Sequence, residues 1–119
     1  MVGKRMASLG YCDVKDMVIS RKSMRTIDDI KDIMKSGNLL SGVLASTPFY
    51  GIFGTPSVTA SPFETLVTIR DYDWETFGNA MLASTAITRR QIYRLAEPMT
   101  WETNGEEQKF WKCVSNASL

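Results

Sequence analysis

Between Pro98 and Ser115 the chain reads PMTWETNGEEQKFWKCVS, and the pair Asn104-Gly105 at its centre is the point on which the architecture turns. Asn-Gly flanked by apolar residues is a strong signal for a tight turn between two antiparallel strands. A two-residue loop would set Glu102 opposite Glu107, two like charges facing each other. A loop over Asn104–Glu107 instead pairs Glu102 with Lys109 and Trp101 with Phe110, so the expectation is a C-terminal β-hairpin. Trp101, Phe110, Trp111 and Val114 would then form one wall of the core.

Just upstream, the spacing predicts a helix from about Thr85 to Glu97, ended by Pro98. Ile92, Leu95 and Ala96 face inward, with Thr88 or Ile87 one turn earlier, and Arg90, Arg94 and Glu97 form an outer row. Arg89, Arg90 and Arg94 together could hold phosphate headgroups or an RNA backbone; the alternative is a solvated face partly balanced by Glu97. Before that helix, FETLVTIRDY (Phe63–Tyr72) alternates with period two, Phe63, Thr65, Val67 and Ile69 on one side, as a half-buried strand does.

The stretch Ser36–Phe63 holds no charged residue, although Lys35 and Glu64 stand immediately outside it. A membrane span needs about 20 mostly apolar residues in a helix, and Pro48, Pro56 and Pro62 break this run. Leu39, Leu40, Val43 and Leu44 are spaced for a short helix, and Phe49, Tyr50, Ile52 and Phe53 need a dry environment. Core and loop packing is the expectation for this stretch; the alternative is that part of it, near Val58, stays exposed as an apolar patch for self-association or membrane contact. Towards the N-terminus, Thr26 with Asp29 three residues on suggests a helix cap. Ile27, Ile30, Ile33 and Met34 share one face of a helix from Ile27 to about Ser36, closed by Gly37. Leu9–Ser20 reads as a strand and residues 1–8 as a mobile arm.

The order strand, helix, short helix, irregular segment, strand, helix, hairpin implies one α+β domain over residues 9–119, a twisted antiparallel sheet packed by two or three helices. A length of 119 residues suits one domain.

Composition narrows the chemistry. Histidine is absent, which removes Ser-His-Asp and Cys-His nucleophile systems, and no Gly-rich phosphate loop is present. No enzyme, cofactor or metal site is expected. Cys12 and Cys113 lie in apolar contexts at opposite ends, and the opening residues MVGKRMASLGYCDVKD lack an apolar signal region, so free buried thiols in a reducing compartment are expected. Net charge is only +1, but residues 1–35 hold eight Lys/Arg against five Asp/Glu, a mild basic bias.

Three motifs in order resemble the matrix proteins of rhabdoviruses, particularly the vesiculovirus group. Arg25-Thr26-Ile27-Asp28-Asp29-Ile30 is similar to that family's Arg-Thr-x-x-Asp-[Val/Ile] helix start, Pro48-Phe49-Tyr50-Gly51-Ile52 to its Pro-Phe-Tyr-x-Ile motif, and Thr55-Pro56-Ser57-Val58 to its Thr-Pro-small-Val segment. A Thr-rich strand, an amphipathic helix and a terminal hairpin complete the order. This chain is shorter between Ala60 and Glu64 and has no Lys-rich N-terminal tail, Pro-Pro-x-Tyr or Pro-Thr-Ala-Pro motif.

The resemblance implies a non-enzymatic protein that self-associates, condenses the viral nucleocapsid and links it to the envelope during assembly and budding. Its places would be the virion beneath the envelope, the host cytoplasm and the inner face of host membranes. Self-association would fall to Thr55, Pro56, Ser57, Val58 and Thr59. Weak contact with an anionic membrane or RNA would fall to Lys4, Arg5, Arg21, Lys22 and Arg25, with Arg89, Arg90 and Arg94. No small-molecule substrate is implied. The alternative from a different class is a small soluble viral accessory protein or interaction module that binds one host partner.

Overall fold

The computed structural model of the chain describes residues 12–36, 52 and 66–119. Strand β1 (Val14–Val18) is followed by helix α1 (Arg21–Ser36), strand β2 (Leu66–Ile69), and helices α2 (Asp71–Ala83), α3 (Ala86–Glu102) and α4 (Gly105–Ala117). Helices dominate the described residues, and the sheet is a two-stranded antiparallel ribbon of β1 and β2. This overturns the expected α+β architecture of a twisted sheet packed by two or three helices.

The C-terminal hairpin is the main correction. Asn104-Gly105 does turn the chain, with Gly105 at φ 61°, but it joins two helices. Positive φ is what the Asn-Gly signal reports, and a helix–helix connection can use it as well as a hairpin can. Past the turn, Phe110, Trp111, Cys113, Val114 and Ser115 are buried on one side of α4, a helical spacing that a strand could not deliver to one face. Glu106 and Glu107 occupy the first turn of α4, where negative charge complements the helix dipole. The cross-strand pairs do not form: Lys109 lies 3.6 Å from Glu106, Glu102 lies 3.7 Å from Lys22, and Trp101 is 75% exposed.

Helix α3 begins where the sequence predicts, with Thr85 capping it through a hydroxyl that accepts from the Thr88 N–H at 3.1 Å. Ile92 and Ala96 are buried as expected, whereas Ile87 is 69% exposed. Pro98 does not end the helix, which runs on to Glu102. Proline removes the N–H that would reach the Arg94 carbonyl and crowds that carbonyl with its ring. Side chains then serve carbonyls further along: Thr100 Oγ1 donates to Glu97 O at 2.6 Å, Thr103 Oγ1 to Met99 O at 2.6 Å, and Gln108 Nε2 to Thr100 O at 2.8 Å.

Helix α1 starts five residues before Thr26, which is an interior position, so the motif from Arg25 to Ile30 is not a helix start. The cap is Ser20, whose carbonyl accepts from Met24 N–H at 2.9 Å and whose hydroxyl accepts from Ser23 N–H at 3.3 Å. Its buried face, Ser23, Met24, Ile27, Ile30, Lys31 and Met34, keeps the helical spacing. Helix α2, with no counterpart among the elements expected from the sequence, is stabilised at its start by Asp73, whose carboxylate accepts from Arg70 N–H at 3.2 Å.

Strand β1 is shorter than the expected Leu9–Ser20 and carries a bulge. Val14 pairs with Ile69 and Met17 with Val67, so one extra residue sits on the β1 side. Asp16 absorbs it at φ 49°, a conformation that Asp tolerates better than most residues. The bulge lets Val14 and Met17, three positions apart, both point into the core.

Inside, Trp74, Phe77, Phe110 and Trp111 stack edge to face or tilted with centroids 5.0 to 5.8 Å apart, joining α2 to α4. Ile52, from the uncharged stretch, is also buried. The remainder of that stretch, including the expected helix near Leu39–Leu44, lies outside the described residues, as does the arm at residues 1–8.

The expected free thiols are instead a disulfide, Cys12–Cys113, with Cα atoms 5.9 Å apart and a sequence separation of 101. Their separation in sequence concealed a contact that the docking of α4 beside β1 creates. Closing so long a loop stabilises the folded chain by on the order of 4–5 kcal/mol in the chain-entropy picture.

Candidate anion-binding groove

Helix α3 carries Ala86, Arg89, Arg90, Tyr93 and Arg94 along one side of its first half, a spacing of three and four that aligns them. The end of α4 brings Ser118 and Leu119 alongside, and together these residues line a groove of about 560 Å³. One contact closes its edge: Arg89 Nη1 donates to the Leu119 carbonyl at 3.2 Å. Ser118 is held there by its hydroxyl, which donates to Val114 O at 2.9 Å and Ser115 O at 3.1 Å.

The electrostatics favour an anion. Among the described residues, none of Arg89, Arg90 and Arg94 forms an ion pair with an Asp or Glu side chain. The nearest acid along the helix, Glu97, is engaged by Tyr93, whose hydroxyl donates to Glu97 Oε2 at 2.5 Å. That hydrogen bond, with burial and the adjoining negative charge, raises the Tyr93 pKa above its ordinary 10.0. Guanidinium groups set the charge of the groove. Arg89 Nε is shut away from solvent without an acceptor among the described residues. The positive end of the α3 dipole lies at the same place.

Apolar side chains stand beside these cations. Ile87 and Leu119 are 69% and 65% exposed, and Leu82, across the short α2–α3 junction, is 49% exposed. The sequence reading singled out the arginines but not Tyr93 or these apolar neighbours. The Ala86-x-x-Arg89-Arg90-x-x-Tyr93-Arg94 spacing carried the Tyr93 signal; the approach of Leu119 had none, because it depends on α4 being a helix.

Among the described residues, the basic residues of α1 do not join the groove. Arg21, Lys22 and Arg25 are exposed on the first turns of α1, and Lys22 pairs with Glu102 at the far end of α3. At about 1.5 Å per residue, that is roughly 12 Å along the axis from Arg94 and further from Arg89. Lys4 and Arg5, and the self-association residues Thr55, Pro56, Ser57, Val58 and Thr59, lie outside the described residues.

Among the described residues there is no group of side chains able to hold a metal ion, and no helix long and apolar enough to cross a membrane. No protein-family model, curated protein or solved structure matches this chain.

Proposed function

We propose that this chain is a non-enzymatic docking protein that sets the basic end of α3 against an anionic surface. The observation that carries the reading is the grouping of Arg89, Arg90 and Arg94, none in an ion pair with an Asp or Glu side chain among the described residues, beside exposed Ile87 and Leu119. Basic residues near an anionic surface contribute about 1 kcal/mol each, so a single copy binds weakly and repetition must supply the strength. That is the physical requirement of a matrix role: self-association through the Thr55–Thr59 segment, condensation of a nucleocapsid, and its linkage to the inner face of an envelope within the virion and host cytoplasm. Support for this role comes from the Pro48–Ile52 and Thr55–Val58 sequence motifs and the basic face; the helix-dominated architecture, with Arg25–Ile30 inside α1 and a helix in place of the terminal hairpin, adds none.

A second reading is favoured by the Cys12–Cys113 disulfide. Disulfides persist in oxidising compartments, which suits a small accessory or interaction module that binds one partner there as a monomer.

Sedimentation velocity over a salt series, with and without phosphatidylserine vesicles, separates the two. The matrix role predicts vesicle binding and reversible growth into large oligomers as salt falls, with growth lost in Val58→Glu. A monomer at every salt concentration that still binds vesicles leaves only the single-partner module, and a chain indifferent to anionic vesicles overturns the docking reading.

A further inference from the structure

The groove has features that a merely basic patch lacks. Its volume of about 560 Å³ falls within the range of small-molecule sites, roughly 300–1,000 Å³. Ala86 and Leu119 supply apolar walls, and Leu119 leaves most of its surface open to whatever enters. Guanidinium forks suit planar or tetrahedral oxyanions, which they grip through paired hydrogen bonds. Tyr93 holds Glu97 away from competing for those forks.

We infer that this groove binds a single amphiphilic anion, a molecule with a phosphate or carboxylate head and an aliphatic body. The head lies on Arg89, Arg90 and Arg94, and the body runs over Ala86 and Leu119. The inference rests on the reading that this end of α3 faces anions, and it adds a discrete site of one-to-one stoichiometry. The same chemistry is offered by a free amphiphile and by a lipid lifted from a bilayer.

Decyl phosphate kept below its micelle concentration is titrated calorimetrically into the full chain, with inorganic phosphate as the head-only arm and phosphatidylserine vesicles as the bilayer arm. The expected result is saturable one-to-one binding of decyl phosphate, with inorganic phosphate at least about tenfold weaker because it lacks the apolar contact. Arg89→Gln with Arg94→Gln lowers decyl phosphate affinity about tenfold or more, in a chain whose circular dichroism is unchanged. Ala86→Trp fills the groove without removing charge: it abolishes decyl phosphate binding while vesicles still sediment the variant. Decyl phosphate binding without any vesicle binding supports the site, identifies a free amphiphile as its ligand, and removes the docking reading. Decyl phosphate bound no better than inorganic phosphate overturns the inference, as does an affinity left within twofold by the paired arginine substitutions. Vesicle binding alone, with no decyl phosphate binding, overturns it too and leaves the docking reading standing.

Discussion

The two ends of this molecule are built on opposite terms. Where α4 lies against residues 12–23, polar groups are tied to one another and to the chain, Asp13 Oδ1 excepted. The disulfide joins Cys12 to Cys113, Lys109 Nζ donates to Asp13 O at 2.8 Å, and Lys15 N–H donates to Glu106 Oε1 at 2.8 Å. Around the first half of α3, three arginines have no Asp or Glu ion-pair partner among the described residues and large apolar side chains face solvent. Satisfied, buried contacts hold a fold together; unsatisfied, exposed ones are available to something else. Stability should therefore be lost at the first end with binding preserved per folded molecule, and binding at the second with stability unchanged.

The largest effect expected at the joint is from the disulfide. Cys113→Ser should cost about 3–5 kcal/mol of unfolding free energy in urea, the range for native bridges that close long loops. Cys12→Ser should cost a similar amount, and the double variant little more than either, because both substitutions remove one bond. Both sulfur-bearing residues are 2% exposed, so reductant should act on the folded chain only after it opens. Additive losses in the double variant would mean that the two residues contribute through packing and that no bond joins them.

Next in size is Glu107. Its Oε2 accepts from Ser20 N–H at 3.1 Å and from the hydroxyls of Ser20 and Ser23, while Trp111 Nε1 donates to Ser23 Oγ at 2.8 Å. The carboxylate sits at the start of α1, where Arg21, Lys22 and Arg25 add positive charge to the positive end of the dipole and no acid lies in the first turn. Glu107→Ala should therefore cost about 2–3 kcal/mol, the scale of hydrogen bonds to a charged group whose donors are then left unserved. The measurement is again urea unfolding, and a loss under about 0.5 kcal/mol, typical of surface sites, would make the cluster incidental.

The same contrast explains what could be read from the sequence. The apolar faces of α1 and α3 were legible because Ile27, Ile30 and Met34, and Ile92 and Ala96, repeat with the period of a helix and are all buried. The strands were legible as segments, although the bulge at Asp16 depends on a cross-strand register that no local pattern records. Helix α2 was obscured by Gly78-Asn79, residues of turn chemistry within a helix whose stability comes from Trp74, Phe77 and Met81 packing. For α4, the Asn-Gly turn signal was sound and the neighbouring pattern was open to two readings, in which the tempting Trp101–Phe110 pair outweighed the helical run of buried residues after Phe110. The three arginines were visible on one helix face; their groove was not, because Ser118 and Leu119 reach it only through the turn at Gly105. The disulfide follows from that same docking.

The smallest expected effect sharpens the comparison within a single turn of α4. Glu106 is partly exposed, and its pKa is lowered below the ordinary 4.5 by the Lys15 N–H first and by the charge of Lys109 as well. A carboxylate with a depressed folded pKa contributes stability that is fully present above its unfolded value and lost as pH falls through the folded one. Relative to Glu106→Gln, whose amide oxygen can keep the Lys15 hydrogen bond but carries no charge, the wild-type chain should hold a small advantage at neutral pH. That advantage should shrink as pH falls below 4.5 and disappear once pH has dropped through the lowered folded pKa, when the carboxylate is protonated. Urea midpoints for both proteins at several pH values measure it directly. A gap that stays constant with pH would show that the Lys15 contact depends on shape alone, and the charge at that edge of the joint would then be as free to vary as the solvent-facing side of α3.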